Sequence, residues 1–256
     1  MIARPSFARR LATQAHAVYV VAKKDAVVYY LKPPVISFGI VFPLFFYLAF
    51  ASGRSVSPEA MVPGIVAMAL FFTASAIGPL VTPWERQART YERLVTSPAS
   101  LGAILAGDTL AGAIFGAVLT LVPLGVGLAT TQAHIAGPMT MGIGLVLGAS
   151  AFAALGVLMA APATDTPSQV MMLSNFVRLP LIFISGVFVP YAAMPEWAQW
   201  LAPLSPLSYA ADLIRLGFGE SAHFGVTVDG IALVGFSAGF LTLACYLHGR
   251  SRARGK

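Results

Sequence analysis

The chain has 256 residues, 57% of them hydrophobic and only 10% charged, with a formal net charge of +6 and a mean hydropathy of +0.79. Soluble domains carry about 25% charged residues, so a soluble globular domain is excluded, and apolar blocks long enough to cross a bilayer make this a polytopic membrane protein. The positive charge sits beside those blocks, which points to membrane lipids and away from nucleic acid.

Residues 1–32 hold Arg4, Arg9, Arg10, Lys23, Lys24 and Lys32 against a single acid, Asp25. The apolar run starts only at Pro34, so signal-peptide cleavage is not expected. Leu11, Ala15, Val18 and Ala22 trace a helical stripe, so an amphipathic helix is expected to lie at the interface, its basic residues drawn to anionic headgroups. Six spans follow, at about 33–51, 62–81, 103–129, 141–161, 170–190 and 230–247. The third is rich in small residues, and Gly112 with Gly116 forms a pair suited to close helix packing.

Between the second and third spans the segment Thr82–Pro98 is polar and dense in charge. Trp84, Ala88, Tyr91 and Val95 recur at helical spacing, while Glu85, Arg86, Arg89, Glu92 and Arg93 lie off that stripe. Thr82 followed by Glu85, with Pro83 between, reads as a helix N-terminal cap, and Glu85 precedes Arg89 by four, the favourable order for a helical ion pair. A short separate helix is therefore expected here, either a solvated connection or a surface offered to a partner.

Between the fifth and sixth spans two short helices are expected. The first runs from Pro195 to Pro203 with Trp197 and Trp200 as interfacial anchors; the second runs from Ser208, as a possible cap, to about Gly217. Both are too short to span and are expected to dip into the outer leaflet. With the N-terminus inside, 13 basic residues fall on the cytoplasmic side and only Arg54 and Arg215 on the other. The positive-inside rule then puts both termini and the 82–98 loop in the cytoplasm.

A phosphate-cradling loop ending in Gly-Lys-Ser/Thr cannot be built from Lys23, Lys24, Lys32 and Lys256, and no metalloprotease or nucleophile-elbow motif occurs. No catalytic residue, metal ligand or cofactor is assigned to this chain. The one cysteine, Cys245, and the scattered His16, His134, His223 and His248 read as packing and boundary residues. Charge inside a span is costly, which singles out Asp108 early in the third span and Arg178 about 12 Å into the fifth. A structural or gating contact is expected of them, a mutual pair being one form of it; for Arg178 the alternatives are snorkelling to lipid phosphate or meeting an anionic substrate. Asp229 reads as a helix N-terminal acid facing water.

Four motifs resemble those of the type-2 integral-membrane subunits of ABC exporters, the family that includes drug-resistance and lipooligosaccharide permeases. Glu85-Arg86 and Glu92-Arg93-Leu94-Val95-Thr96-Ser97-Pro98 match its loop between spans two and three. Ser185-Gly186-Val187-Phe188-Val189-Pro190 matches the close of its fifth span, and Pro195-Glu196-Trp197 its following helix. Ser205-Pro206-Leu207-Ser208-Tyr209 and Asp212-Leu213-Ile214-Arg215 match the element after that. The glycine that often precedes the Leu-Glu-Arg segment is absent, and Ser205 stands for the usual asparagine.

This resemblance, which covers the whole chain in order, implies a single all-α type-2 transmembrane domain over residues 1–256. Its parts would be six transmembrane helices, an N-terminal interfacial helix, a cytoplasmic coupling helix and short external re-entrant helices. It implies a permease subunit of an ATP-driven exporter in the bacterial inner membrane, working with two ABC ATPase subunits that carry ATP and Mg, and with a second copy of itself or a paralogous permease. Coupling would fall to Trp84, Glu85, Arg86, Arg89, Tyr91, Glu92 and Arg93, and an external gate to Phe188, Trp197 and Trp200. An amphiphile such as a drug, a lipid or a lipid-linked saccharide suits an apolar, glycine-rich cavity. The alternatives are a nucleotide-independent secondary transporter, which should show mid-span broken helices or carboxylates in repeated halves, and a membrane scaffold or biogenesis subunit.

Overall fold

The computed structural model describes residues 7–28, 37–51, 57–90, 99–162, 166–188, 191 and 194–253. Helix α1 (Phe7–Val28) is followed by a π-helical turn (Ser37–Val41) that leads into α2 (Phe42–Ala51). Then come α3 (Pro58–Ser75), α4 (Ile77–Gln87), α5 (Leu101–Thr130), α6 (Pro138–Met159) and α7 (Pro167–Ile184). The short α8 (Glu196–Leu201) and a 3-10 turn (Ala202–Leu204) precede α9 (Pro206–Gly217) and α10 (Val226–Ala253). No strand occurs among the described residues. Five helical stretches there are long and apolar enough to cross a membrane: Pro58–Gln87, Leu101–Thr130, Pro138–Met159, Pro167–Ile184 and Val226–Arg250. They answer to the second to sixth expected spans. The expected first span is represented by the π turn and α2, and its residues 33–36 lie outside the described set.

Local chemistry sets the helix starts. Pro58, Pro138, Pro167 and Pro206 each stand at the opening of a helix, where a missing N–H costs nothing. Ser100 caps α5 by accepting from the Ala103 N–H at 3.2 Å. Helices α3 and α6 form the centre, with α5, α9 and α10 packed around them. Phe71 of α3 meets Phe152 of α6 edge to face at 5.0 Å, and both are fully buried. Small residues let the backbones close up, as expected of Gly112 and Gly116. A Cβ on Gly116 would stand 2.5 Å from the Cβ of Ala74, and one on Gly112 would stand 2.7 Å from Ile77 Cγ2. The tightest crossing pairs α4 with α6, where a Cβ on Gly78 would fall 2.0 Å from the Gly156 carbonyl oxygen.

Two local expectations are corrected. Thr82 and Pro83 do not begin a new helix: both are buried inside α4, which carries the apolar stretch from Pro58 on to Gln87. Burial of Val81, Thr82, Pro83 and Glu85 against the bundle overrides the local cap signal. The helix stops instead at a left-handed residue, Arg89 (φ 53°), with the Thr90 N–H bonded to the Glu85 carbonyl at 2.9 Å. That is a Schellman-type ending, in which glycine is the usual occupant. Similarly, α9 starts at Pro206, one turn's fraction earlier than expected. Ser208 lies inside it and donates to the Ala202 carbonyl at 2.6 Å.

Candidate functional site

The end of the bundle where α4 finishes and α5 begins carries a buried ring of charge. Lys24 of α1 donates to Glu85 of α4 and lies 3.1 Å from Asp25. Asp108 of α5 adjoins Asp25, and Asp25 is fully buried while Asp108 and Glu85 are each 4% exposed. Burial works against the charge of Lys24, but Asp25 and Glu85 outweigh it and hold the ammonium above the ordinary lysine range. Burial also pushes Asp25 up, against the opposing pull of Asp108 and Lys24. Two further contacts fix α1 here. The Ser100 N–H donates to the Gln14 side chain at 2.8 Å, and Gly107 leaves room for Val21, which a Cβ would approach to 2.7 Å. Helix α1, expected to lie at the interface, packs on α5 and is tied to α4 through Lys24 and Glu85.

Around Glu85, the tip of α4 and the residues that follow it are exposed. Trp84 is 41% exposed, and Gln87, Ala88, Arg89 and Thr90 are exposed as well. Arg86 turns back and donates to the Pro162 carbonyl at 3.0 Å, bracing the tip of α4 against the end of α6. The helical pair expected between Glu85 and Arg89 is not made, because Glu85 takes Lys24 and the helix ends before Arg89. Tyr91, Glu92 and Arg93 lie outside the described residues.

Asp108 and Arg178 do not pair with each other. Asp108 joins the ring around Lys24, while Arg178 of α7 donates through Nη2 to the carbonyl of Ser75. Sequence explains that acceptor: the carbonyl of Ser75 would ordinarily receive the N–H four residues on, and that residue is Pro79, which has none.

At the opposite end Asp212 of α9 accepts from the backbone N–H of His223 at 2.9 Å and of Phe224 at 2.9 Å, tying the α9–α10 connection to α9. Arg215 donates to the Gly186 carbonyl at 2.7 Å and lies 3.7 Å from Glu220. Burial lowers Arg215 from the ordinary arginine range and raises Glu220. These groups border a polar cavity of about 170 Å³, closed on one side by Tyr191 stacked on His223 with ring centroids 3.5 Å apart. Two motifs far apart in sequence, Ser185-Gly186 and Asp212-Leu213-Ile214-Arg215, thus meet through the Arg215 bond. Trp197 and Trp200 are exposed, Trp200 at 82%, and Phe188 packs against Phe183 at 5.8 Å. Asp229 is fully buried in the first turn of α10, contrary to the expected water-facing acid.

Lys24, Asp25 and Asp212 were not legible as site residues. Lys24 and Asp25 sit in a basic, lipid-facing sequence, and nothing local marks a partner sixty-one positions away. Asp212 stands in a recognisable Asp-x-x-Arg pattern, but its acceptor role rests on a turn eleven residues later.

Comparison with known proteins adds an independent line. The family model described as "ABC-2 type transporter" matches residues 16–218. The daunorubicin resistance ABC transporter permease protein DrrB1 of Streptomyces coeruleorubidus is 27% identical over 224 residues, 84% of this chain and 77% of that protein. The inner membrane transport permease YadH of Escherichia coli K12 is 27% identical over 195 residues, 73% of this chain and 75% of its own. Nodulation protein J of Bradyrhizobium diazoefficiens is 27% identical over 176 residues, covering 66% and 61%.

Proposed function

Because the chain belongs to the ABC-2 type transporter family, we propose that this multi-pass membrane protein is the permease subunit of an ATP-driven exporter of amphiphiles. ATPase subunits, which carry ATP and Mg, dock on the tip of α4, and a second permease, identical or related, completes the pathway. The observation that carries the reading is the construction of that tip. Trp84 and Arg89 are exposed on it, Arg86 braces it to α6, and Glu85 ties it to α1. A rigid helix end with an exposed aromatic and a cationic corner is a surface a partner can grip, and its tie to α1 passes any displacement into the bundle. The same tip faces the cytoplasm, with both termini on that side, in accord with the basic residues around it. At the other end Phe188, Trp197 and Trp200 border the exit. Drug, lipid and lipid-linked saccharide are the cargo classes in view.

The test is purification from native membranes in mild detergent, followed by identification of associated proteins and assay of ATP hydrolysis. Association with an ABC ATPase, lost or uncoupled on Trp84→Ala, Arg89→Glu or reversal of Glu92 and Arg93, supports the reading. A chain that comes out alone and moves substrate without nucleotide would instead be a secondary transporter.

A further inference from the structure

Arg178 is an unusual resident of this bundle. It is 3% exposed, its Nε has no hydrogen-bond partner, and among the described residues no carboxylate lies within ion-pair distance of it. Among the described residues its one bond goes to the Ser75 carbonyl left open by Pro79. A neutral amide donor satisfies a carbonyl as well, so that bond does not account for a full positive charge in an apolar setting, which is costly without an anion. The depth restricts where an anion comes from. Glu85, in the buried ring of charge, is ten residues further along the α3–α4 helix, roughly 15 Å from Ser75 at the helical rise. A phosphate resting at the leaflet surface does not reach that level. A head group passing through does.

The helix that carries Arg178 is held to the bundle by a narrow face. Helix α7 buries a single stripe, Val170, Ser174, Arg178 and Ile182, while Met172, Phe176, Leu179 and Phe183 are exposed. Against it stands the α3–α4 junction, already interrupted at Ala76 and missing a backbone bond at Pro79. A shift of α7 along this narrow seam uncovers the guanidinium and its free N–H without dismantling the core.

From this geometry we infer that Arg178 is an anion-binding station for the phosphate or similar oxyanionic head of an amphiphile in transit, reached through the seam between α7 and the α3–α4 junction. This rests on the permease reading above and narrows its cargo to anionic amphiphiles. The guanidinium supplies a two-pronged donor to paired oxygens, which an ammonium reproduces in charge but not in shape.

Two measurements separate the outcomes. First, the purified chain in phosphatidylcholine nanodiscs is titrated with tail-labelled fluorescent phosphatidic acid and with a neutral galactosyl diacylglycerol of the same chains. Phosphatidic acid is expected to bind at least about tenfold more tightly, with the preference lost in Arg178→Gln and partly kept in Arg178→Lys. Second, the complex with its co-purified ATPase is placed in phosphatidylcholine vesicles, and ATP-dependent movement of each probe between leaflets is followed by quenching from outside. Selective loss of phosphatidic acid movement in Arg178→Gln, with ATP hydrolysis retained, supports the station. Equal loss of both probes, or no change in either, overturns it. Binding without movement while hydrolysis continues identifies a resident lipid and overturns the transit role. Should Arg178→Gln fail to fold, the same substitution is read in Pro79→Ala, where Ser75 regains a backbone donor. A wild-type chain without any ATPase partner defeats the permease reading and leaves the binding preference to decide this one.

Discussion

Lys24 of α1 donates to the carboxylate of Glu85 at the end of α4, so α1 is fastened by charge to the tip of α4. Glu85 is buried and Lys24 is 27% exposed, which places the pair between a solvent-screened surface bridge and a fully buried one. Lys24→Met or Glu85→Gln alone leaves the other member of the pair without its counter-charge, and each is expected to cost about 3 kcal/mol. The double variant Lys24→Met/Glu85→Gln should cost clearly less than the two losses added together. Thermal unfolding in detergent, analysed as a double-mutant cycle, measures the coupling. Additive losses would show that the bridge contributes nothing of its own.

The neighbouring acid gives the site a pH dependence. Burial holds Asp25 above the ordinary carboxylate range, so the folded state binds its proton more tightly than the unfolded chain does. Its contribution is therefore complete below the usual aspartate value of about 4 and is lost as pH rises through the higher folded value. Stability of the wild-type chain should fall across that window. In Asp25→Asn the slope should flatten, and unfolding temperatures over a pH series decide it.

Much of this fold is readable from the sequence because a span announces itself by length and hydropathy alone, as α5 and α6 do. The Gly112–Gly116 pair is likewise a local pattern with one physical use, and it is found against Ala74 and Ile77. The candidate site is harder. Thr82-Pro83 carries a sound helix-start signal, yet tertiary burial keeps α4 running through it. Lys24 reads as a headgroup contact because a lysine near a membrane has that use by default, and only the fold brings Glu85 to it. Asp108 and Arg178 stand out in the sequence as charges inside apolar blocks, but their partners, Lys24's ring and the Ser75 carbonyl, depend on helix crossings that no spacing rule reveals.

The contact of α4 with α6 should tolerate no added atoms. Gly78→Ala places a methyl 2.0 Å from the backbone oxygen of Gly156, and backbone cannot rotate aside as a side chain does. Loss of about 1–3 kcal/mol, or failure to accumulate in the membrane, is expected. Gly235→Ala on α10 is the matched control, since nothing lies within 4 Å of its added carbon. Expression and unfolding temperature of the two variants should diverge; similar behaviour would mean that α4 and α6 are not held this close.

At the opposite end, Asp212→Ala strips the acceptor from the backbone N–H groups of His223 and Phe224. Leaving part-buried donors unpaired costs about 1–3 kcal/mol, and the start of α10 should loosen. Asp212→Asn keeps an oxygen acceptor and should lose less than half as much. Hydrogen exchange at residues 221–226 measures this directly, with faster exchange in the alanine variant than in the asparagine one.

The bond between Arg178 and Ser75 can be isolated because its cause lies at a third residue. In the wild-type chain Arg178→Met removes an unpaired buried charge, which favours folding, but strands the Ser75 carbonyl, which opposes it. In a Pro79→Ala background the carbonyl regains an N–H four residues on, so only the first effect remains. The methionine substitution should therefore be more favourable there than in the wild type by about 1–2 kcal/mol. Unfolding of the four variants in one detergent gives that difference. A value near zero would mean that the Ser75 carbonyl is served by something other than Arg178, and that the interruption at Ala76 is held by packing alone.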